Sequence, residues 1–495
     1  MNILTFRLRA IFSRLLPVVA TTLVLSALAG CGGSESDSYI GGATGGGGTG
    51  GTSSGGGNTG NGSTGGNQIP IPIPSVTPDP TRGGALSDGC SVPGRTVSQP
   101  GWVGNCAVSV QPTRKWTVLM YMNGANDLEE YGSLNLNQIE KFGSDNNITF
   151  VAQFKRMRST NSYDDTSNGD WTGARRFVVR NDGDSNTVTS PVISTRADID
   201  MGSAATLQEF VRWGVETFPA ERYAIILWNH GAGWRSRAAK PGATRGFSYD
   251  DEKDTHIDTI EVPGAIDLGA GRKWDLVAWD SSLMQMLEVA HEIKNKTHWI
   301  VGSQESPPGR GYPYDRWVDK LIARPDADGR FVGETICDAM LSGYTRNSNI
   351  TQSLLDAGKI APLTTAVNRF GAALLAAQPD YGTQIAAARE DAEYFDYRNN
   401  KDLLDFTRLV KDAVPDAGVQ SAATQVQAAA SAAIVKTVNG DDHPNAKGIA
   451  IYIPTPNGYR RDDIDQANGF GQRYTELLFA EDAPNWQRFL TQGPP

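Results

Sequence analysis

The stretch WDLVAWDSSLM, from Trp274 to Met284, predicts a buried strand that runs directly into a helix. A second stretch, YAIILWNHGAGW from Tyr223 to Trp234, predicts another buried strand, and this one delivers a histidine to its end. His230 and Ser282 would therefore lie at the carboxyl ends of two strands, where a base and a nucleophile form a peptidase-like site. The nucleophile is a hydroxyl and not a thiol. Whether the site cleaves a peptide or only binds it depends on that one group.

Apolar runs alternate with amphipathic helical patterns from Trp116 onward. The predicted strands and helices around the two stretches are Trp116–Met122, Asp127–Phe142, Ile148–Phe154, Arg175–Val179, Ala204–Phe218 and Trp299–Gly302. This rhythm predicts an α/β fold with a mainly parallel sheet and helices on both faces. Ligands of such sheets bind at the carboxyl ends of the strands, which is where His230 and Ser282 would be.

Beyond about Arg324 the pattern becomes mostly helical. It includes an alanine-rich helix (Val419–Ala433), a strand (Gly448–Ile453) and a closing helix (Tyr474–Phe479). We expect this part to pack on the sheet. The predicted domains are a signal at 1–30, a tether at 31–112, a core at 113–325 and a C-terminal part at 326–495.

The first thirty residues have the form of an export signal. A basic start precedes an apolar stretch, Leu15–Leu28, that is too short for a typical membrane span. The sequence LAGC at 28–31 resembles the lipobox of bacterial lipoproteins, in which the cysteine, here Cys31, is lipidated and becomes the mature N-terminus. Gly32 and Gly33 lack the aspartate that often retains such proteins at the inner membrane, so we expect an outer-membrane anchor. The domain would face the periplasm or the cell surface, and an ordinary signal with a chance cysteine is the alternative.

Residues 31–112 predict a flexible tether. Gly41–Gly66 is almost all Gly, Thr, Ser and Asn, which cannot bury enough apolar surface to fold. In an exported protein, Cys90 and Cys106 are expected to form a disulfide that closes a small loop at the domain entrance. Cys337 lies in a helical pattern with apolar neighbours, which predicts a buried cysteine.

The formal net charge of −10, with no basic patch, argues against nucleic acid as a partner. No cofactor is expected. The acidic run DDEKD at 250–254 is typical of a solvated loop, although its oxygen ligands leave calcium possible.

The residues after Ser282 place several apolar side chains on one helical face. Ser282 is therefore expected at a helix N-terminus, where free backbone N–H groups and the helix dipole could stabilise an oxyanion. A serine at a strand end is also a common helix N-cap without any chemistry, so both interpretations stay open.

Other residues of the same crevice follow from their positions. Asp280, two residues before Ser282, would point into it, and Gly231 would let the backbone of a substrate approach closely. The loop Gly302–Tyr312, which contains Glu305 and Arg310, would form a wall.

Several pieces, in order, carry a resemblance that extends from about Trp116 to Leu490. They are WTVLMYM at 116–122 with DLE at 127–129, DMG at 200–202, LWNHGAGW at 227–234, DSSLM at 280–284, SQE at 303–305 with PGRG at 308–311, DLLDF at 402–406 and IAIYIP at 449–454. Together they resemble the clostripain family of cysteine peptidases, relatives of the caspases, gingipains and legumains. The resemblance implies a caspase-like sheet, with His230 as catalytic base and position 282 as nucleophile.

The resemblance also implies an acidic pocket, including Asp280, that favours Arg or Lys before the cut bond. The expected partner is thus a protein or peptide. We expect Gly231, Asp280, Glu305 and Arg310 to bind the substrate. Two departures stand out: the family's DACLM is here DSSLM, and Arg310 occupies a place where an acidic or neutral residue would suit a basic substrate.

Three hypotheses follow. The chain is an endopeptidase with a nucleophile–histidine dyad, or a catalytically impaired pseudopeptidase that binds peptides or surface partners because serine replaces cysteine. A carbohydrate-binding or adhesion lipoprotein is a third class, suggested by the tether and the aromatic content.

Overall fold

The computed structural model describes residues 101–104, 113–158, 164–236, 245–345, 349–467 and 472–495, which all belong to one compact unit. The predicted signal, the lipidation site Cys31, most of the tether and the pair Cys90 and Cys106 lie outside the described residues. Those predictions are therefore untested.

Three sheets organise the described residues. Their strands in chain order are β1 (Val103–Gly104), β2 (Arg114–Gly124), β3 (Ile148–Arg156), β4 (Gly173–Val178), β5 (Val192–Arg196), β6 (Ala220–Trp228), β7 (Gly231–Ser236), β8 (Arg245–Asp250), β9 (Thr255–Ile257), β10 (Trp274–Asp280), β11 (Thr297–Gly302), β12 (Thr351–Asp356), β13 (Asn400–Asp402), β14 (Ile434–Asn439) and β15 (Ala450–Tyr452). The main sheet has the order β1-β5-β4-β3-β2-β6-β10-β11-β12-β14, while β7-β8-β9 and β13-β15 form two small sheets.

The middle of the main sheet is parallel, as predicted. Neighbouring strands in the series β3-β2-β6-β10-β11 all run parallel. Trp228 pairs with both Met122 and Asp280, so the carboxyl ends of β2, β6 and β10 lie side by side. Strands on both margins pair antiparallel, which makes the whole sheet mixed.

Helices cover both faces of this sheet, which confirms the predicted α/β architecture. They are α1 (Glu129–Glu140), α2 (Ala204–Thr217), α3 (Val262–Ala265), α4 (Leu287–Ile293), α5 (Val318–Ala323), α6 (Gly329–Gly343), α7 (Ile360–Asp391), α8 (Leu403–Ala413), α9 (Ala417–Ala433), α10 (Pro456–Ala467), α11 (Leu478–Asp482) and α12 (Pro484–Gln492). Alternate residues of β2 enter opposite cores: Leu119 belongs to the core that includes α2, α4 and α7, whereas Met120 belongs to the core that includes α1, α5 and α6. Burial on both faces explains the continuous apolar runs of the central strands.

The C-terminal part is mostly helical, as predicted, and it also completes the main sheet with β12 and β14. The predicted strand near Ile451 is β15, but it pairs with β13 in a separate small sheet. The predicted closing helix is instead a single 3-10 turn, Tyr474–Glu476, followed by α11 and α12.

One described helical segment, Ala357–Asp391, is long and apolar enough to cross a membrane by length and composition. Half of its apolar window is buried inside the protein, and α7 packs against α8, α9 and α12. We therefore interpret it as a core helix.

Candidate active site

A crevice of about 440 Å³ opens at the carboxyl ends of β2, β6 and β10. Its lining consists of Asp127, Leu128, Glu130, Tyr131, Trp228, Asn229, His230, Asp280, Ser281, Ser282, Ser306, Pro307, Pro308, Gly309 and Gly311. The sheet thus brings together three of the predicted site residues, which are His230, Asp280 and Ser282.

Asn229 fixes the segment that presents the histidine. Its backbone N–H donates to the carbonyl of Asp280 at 3.2 Å, which ties the end of β6 to the end of β10. Its side chain donates to the carbonyl of Asn123 and accepts the N–H of Tyr249. The side chain of Asn229 therefore joins the end of β2 to β8. His230 is the next residue along the chain, so its backbone is held in place by these bonds.

Gly231 allows the histidine segment to pack on the serine segment. A Cβ at this position would lie 2.4 Å from the carbonyl oxygen of Ser282 and 2.9 Å from Sδ of Met284. Gly231 is not among the lining residues of the crevice. The close approach that it permits is thus to the backbone of Ser282, whereas the sequence predicted an approach to the substrate.

Asp127 is a site residue that the sequence did not reveal. Its Oδ1 lies 2.5 Å from Nε2 of His230, and both side chains are partly accessible. The hydrogen bond to His230 holds the pKa of Asp127 below its usual range, against the opposing effect of burial. The only signal was the fragment Asp127-Leu-Glu, whose aspartate fitted equally well in the first turn of a helix.

Ser282 is half-buried, and within the described part of the chain its Oγ makes no hydrogen bond, including none to His230. Its backbone N–H likewise has no acceptor among those residues. The neighbouring Ser281 differs, because its Oγ donates to the carbonyl of Leu227 at 3.1 Å. Ser281 thus has a structural role, while the hydroxyl and the backbone N–H of Ser282 remain available to a ligand.

The predicted helix N-terminus at Ser282 is wrong. Helix α4 begins at Leu287, and the intervening residues form a turn in which Leu283 has a left-handed backbone with φ of 64°. The N–H of Leu283 donates to the carbonyl of Glu305 at 3.2 Å, and that of Gln285 donates to Ser303 at 3.0 Å. These bonds to the loop Gly302–Tyr312, which we call the wall loop, replace the first helical turn, so no helix dipole acts at Ser282.

Asp280 lies at the base of the crevice and is almost fully buried. Tyr314 donates its hydroxyl to Oδ2 at 2.7 Å, and the N–H of Tyr312 donates to Oδ1 at 3.1 Å. Burial raises the pKa of Asp280 to about 7, although these two donors favour the ionised form. The carboxyl can therefore change its charge near neutral pH.

Glu305 and Arg310 are not among the lining residues of the crevice. The carboxylate of Glu305 lies in a neighbouring cavity of about 530 Å³, where it accepts the N–H of Ser306 at 2.6 Å. Arg310 is flanked by two lining glycines, and its carbonyl accepts a hydrogen bond from Asn135.

The acidic run at 250–254 has a structural partner. Lys155 donates to both carboxylate oxygens of Asp250, at 2.8 and 2.7 Å, and both side chains are fully buried. No group of three His, Cys, Asp or Glu in the described ranges is arranged to hold a metal ion. Cys337 is buried as predicted, and burial raises the pKa of its thiol far above the usual range.

The fold and the crevice together define the class: an α/β protein with a caspase-like sheet that presents a histidine and a serine in one cleft. A sequence profile of the clostripain family, Peptidase_C11, matches residues 120–492. Because this match covers most of the chain, the chain belongs to the clostripain family.

Individual relatives agree with this assignment. Clostripain from Hathewaya histolytica is 27% identical over 231 residues, which cover 42% of this chain and 43% of that protein. The chain thus aligns with less than half the length of this curated relative.

Two solved structures share the fold. A secreted C11 cysteine protease from Bacteroides thetaiotaomicron, solved with an irreversible peptide inhibitor, has a TM-score of 0.54 and 17% identity, covering 75% of this chain and 99% of that one. An inactive zymogen C11 protease from Parabacteroides distasonis has a TM-score of 0.54 and 16% identity, covering 76% and 99%.

Proposed function

We propose that the chain is an endopeptidase in which Ser282 attacks the peptide bond and His230 acts as base. The observation that carries this proposal is the contact between Asp127 and His230 inside a crevice that Ser282 also lines. One of the similar proteins is described as a cysteine protease and was solved with a peptide inhibitor, and another is described as an inactive zymogen protease. A peptide substrate fits this scaffold.

Asp127 sets the tautomer of the base. A carboxylate oxygen only accepts hydrogen bonds, so Nε2 of His230 carries a proton and Nδ1 of the neutral ring keeps its lone pair. Nδ1 is therefore the atom that removes the proton from the Ser282 hydroxyl. The charge of Asp127 then stabilises the imidazolium that forms.

The reaction proceeds in two halves. Ser282 Oγ forms a bond to the carbonyl carbon while its proton passes to His230, and the imidazolium then gives that proton to the leaving amine. Water, deprotonated by the same histidine, then attacks the resulting ester. The bond to Ser282 Oγ breaks, the imidazolium returns its proton to that oxygen, and the carboxylic acid product leaves. The unengaged backbone N–H of Ser282 is available to stabilise the oxyanion in both halves.

The substrate class follows from Asp280. When ionised, its carboxylate would attract an Arg or Lys side chain before the cut bond, as the family resemblance implies. We therefore propose a basic residue at that position, with a preference that depends on the charge of Asp280.

A pseudopeptidase that binds peptides is the second candidate. The observation that favours this candidate is that Ser282 Oγ has no hydrogen bond to His230 within the described structure. A serine hydroxyl needs a base within roughly 2.6–3.2 Å. A thiol would ionise near neutral pH and would tolerate a more distant histidine.

One set of variants separates the two candidates. The full chain, purified in detergent, is assayed with a fluorogenic peptide that carries arginine before the reporter amide, alongside His230→Ala, Ser282→Ala and Ser282→Cys. An active wild type that both alanine variants inactivate supports the peptidase. An inert wild type with an active Ser282→Cys supports the binding module, whereas activity that survives His230→Ala rejects the assigned site.

We also propose an outer-membrane lipoprotein anchored through Cys31, with its domain on the periplasmic or cell-surface side. The motive is the sequence LAGC at 28–31 before a glycine-rich tether. Metabolic labelling with a radioactive fatty acid should label the wild type and not Cys31→Ala. Labelling of both proteins would reject the anchor.

A further inference from the structure

His443, in the connection between β14 and β15, is held between two carboxylates. Its Nδ1 lies 3.0 Å from Oε1 of Glu393, and its Nε2 lies 3.3 Å from Oε2 of Glu305. Nε2 also contacts the amide oxygen of Asn349 at 2.5 Å. Only 8% of His443 is exposed, so these contacts are well shielded from water.

This geometry requires a charged ring. A carboxylate oxygen can only accept, so each ring nitrogen that faces one must donate a proton, and a histidine with two donors is an imidazolium. Burial alone would lower the pKa of His443, but the hydrogen bonds and charges of Glu305 and Glu393 outweigh it and raise the pKa to about 9.

Glu305 connects this cluster to the active-site crevice. Its carboxylate accepts the N–H groups of Ser306 and Asp396, at 2.6 and 3.0 Å. Its backbone carbonyl accepts the N–H of Leu283, the residue that follows Ser282. A single residue thus holds both the first crevice-lining residue of the wall loop and the turn that carries the serine.

We propose that His443 is a positioning residue whose positive charge fixes Glu305 and thereby holds the crevice wall, residues 306–311, in its peptide-binding position. This proposal rests on the proposed function only for its effect on substrates. His443 does not line the crevice, so it acts on a bound peptide through Glu305. Loss of its charge leaves the buried carboxylate of Glu305 and the partly buried carboxylate of Glu393 without a cation between them, and their repulsion moves the wall.

The pH dependence has a definite sign. The pKa of His443 is raised in the folded state, so its stabilising effect is complete below about pH 6.5 and is lost as the pH rises through about 9. The groups that face the ring are Glu305, Glu393, Asn349 and the ring of Phe395. Asp396 and Asp442 line the same cavity, and every carboxylate among these groups favours the charged ring.

The first test is hydrogen exchange of the full chain, resolved to the peptide that covers residues 303–311 and corrected for intrinsic rates. His443→Gln should accelerate exchange of this peptide about tenfold, which corresponds to one lost charged hydrogen bond. His443→Arg keeps the charge at every pH and should restore slow exchange. His298→Gln, at an exposed position on β11, is the matched control.

The second test is kinetic, on whichever of wild type or Ser282→Cys cleaves the arginine reporter. His443→Gln should raise KM about tenfold with little change in kcat. KM of the parent should rise above about pH 9, and His443→Arg should flatten that profile.

Failure of the two proposals can be told apart. If neither parent cleaves the reporter, the proposed function fails, and the exchange experiment alone decides the role of His443. Unchanged exchange at residues 303–311 in His443→Gln overturns the positioning role. So does faster exchange spread evenly over the chain, because this would show a general loss of stability.

Discussion

Gly231 and Ser282 touch through their backbones, with no room for a Cβ between them. An alanine at position 231 would place its methyl group 2.4 Å from the carbonyl oxygen of Ser282, which cannot rotate away. We expect Gly231→Ala to separate His230 from Ser282 and to lower kcat about a hundredfold, the usual effect of a shift near 1 Å. The free energy of unfolding should fall by about 1–3 kcal/mol.

Gly264→Ala is the matched control for this prediction, because nothing lies within 4 Å of the added Cβ. Both variants are compared by steady-state kinetics and by denaturant unfolding. Normal kcat in Gly231→Ala would show that the two backbones need not touch for catalysis.

The strands that carry His230 and Ser282 could be predicted because both are buried on two faces. Strands β6 and β10 therefore contain apolar runs, at 223–228 and 276–279, and parallel strands place their ends at one edge. Strand β14 could not be predicted, since most of its residues are only partly buried and it follows α9 without a turn. The small sheet β7-β8-β9 was missed as well, because its register is irregular.

The active-site residues, too, could be predicted from the sequence only in part. His230 and Ser282 stand in recognisable local sequences, but Asp127 lies 103 positions before His230, and no local spacing links them. The start of α4 was misplaced because Leu283 and Gln285 bond to the wall loop, and this tertiary contact overrides their helical pattern. Glu305 was placed in the crevice because its loop forms the wall, yet its carboxylate is engaged by Ser306 and His443.

Asp127→Asn should test whether the charge of Asp127 supports the base. Asparagine can still accept a hydrogen bond from Nε2 of His230, but it cannot stabilise the imidazolium. We expect kcat to fall by roughly a thousandfold with a small change in KM. Asp315→Asn is a control, because Asp315 pairs with Lys141 and does not line the crevice. Equal kcat in both variants would remove Asp127 from the catalytic residues.

The preference for a basic substrate residue should depend on pH through Asp280. Its raised pKa leaves the carboxyl neutral in acid and ionised above about pH 7, and only the ionised form pairs with arginine. The ratio of kcat/KM for an arginine peptide to that for its glutamine analogue should therefore rise with pH through about 7. Tyr314→Phe removes a donor that lowers this pKa, so it should move the midpoint to higher pH. A pH-independent ratio would contradict the role of Asp280.

Glu288, on α4, should make stability depend on pH. It is fully buried; one oxygen accepts from the N–H of Tyr452 and the hydroxyl of Tyr474, and the other has no partner in the described structure. Burial raises its pKa from 4.5 to about 7, so its favourable effect is complete below about pH 4.5 and is lost as the pH rises through about 7. Glu288→Gln should raise the free energy of unfolding by about 3 kcal/mol near pH 8 and very little near pH 5. Denaturant unfolding at both pH values measures the difference, with the exposed Glu481→Gln as control. An equal change in the free energy of unfolding at the two pH values would show that Glu288 does not ionise between them.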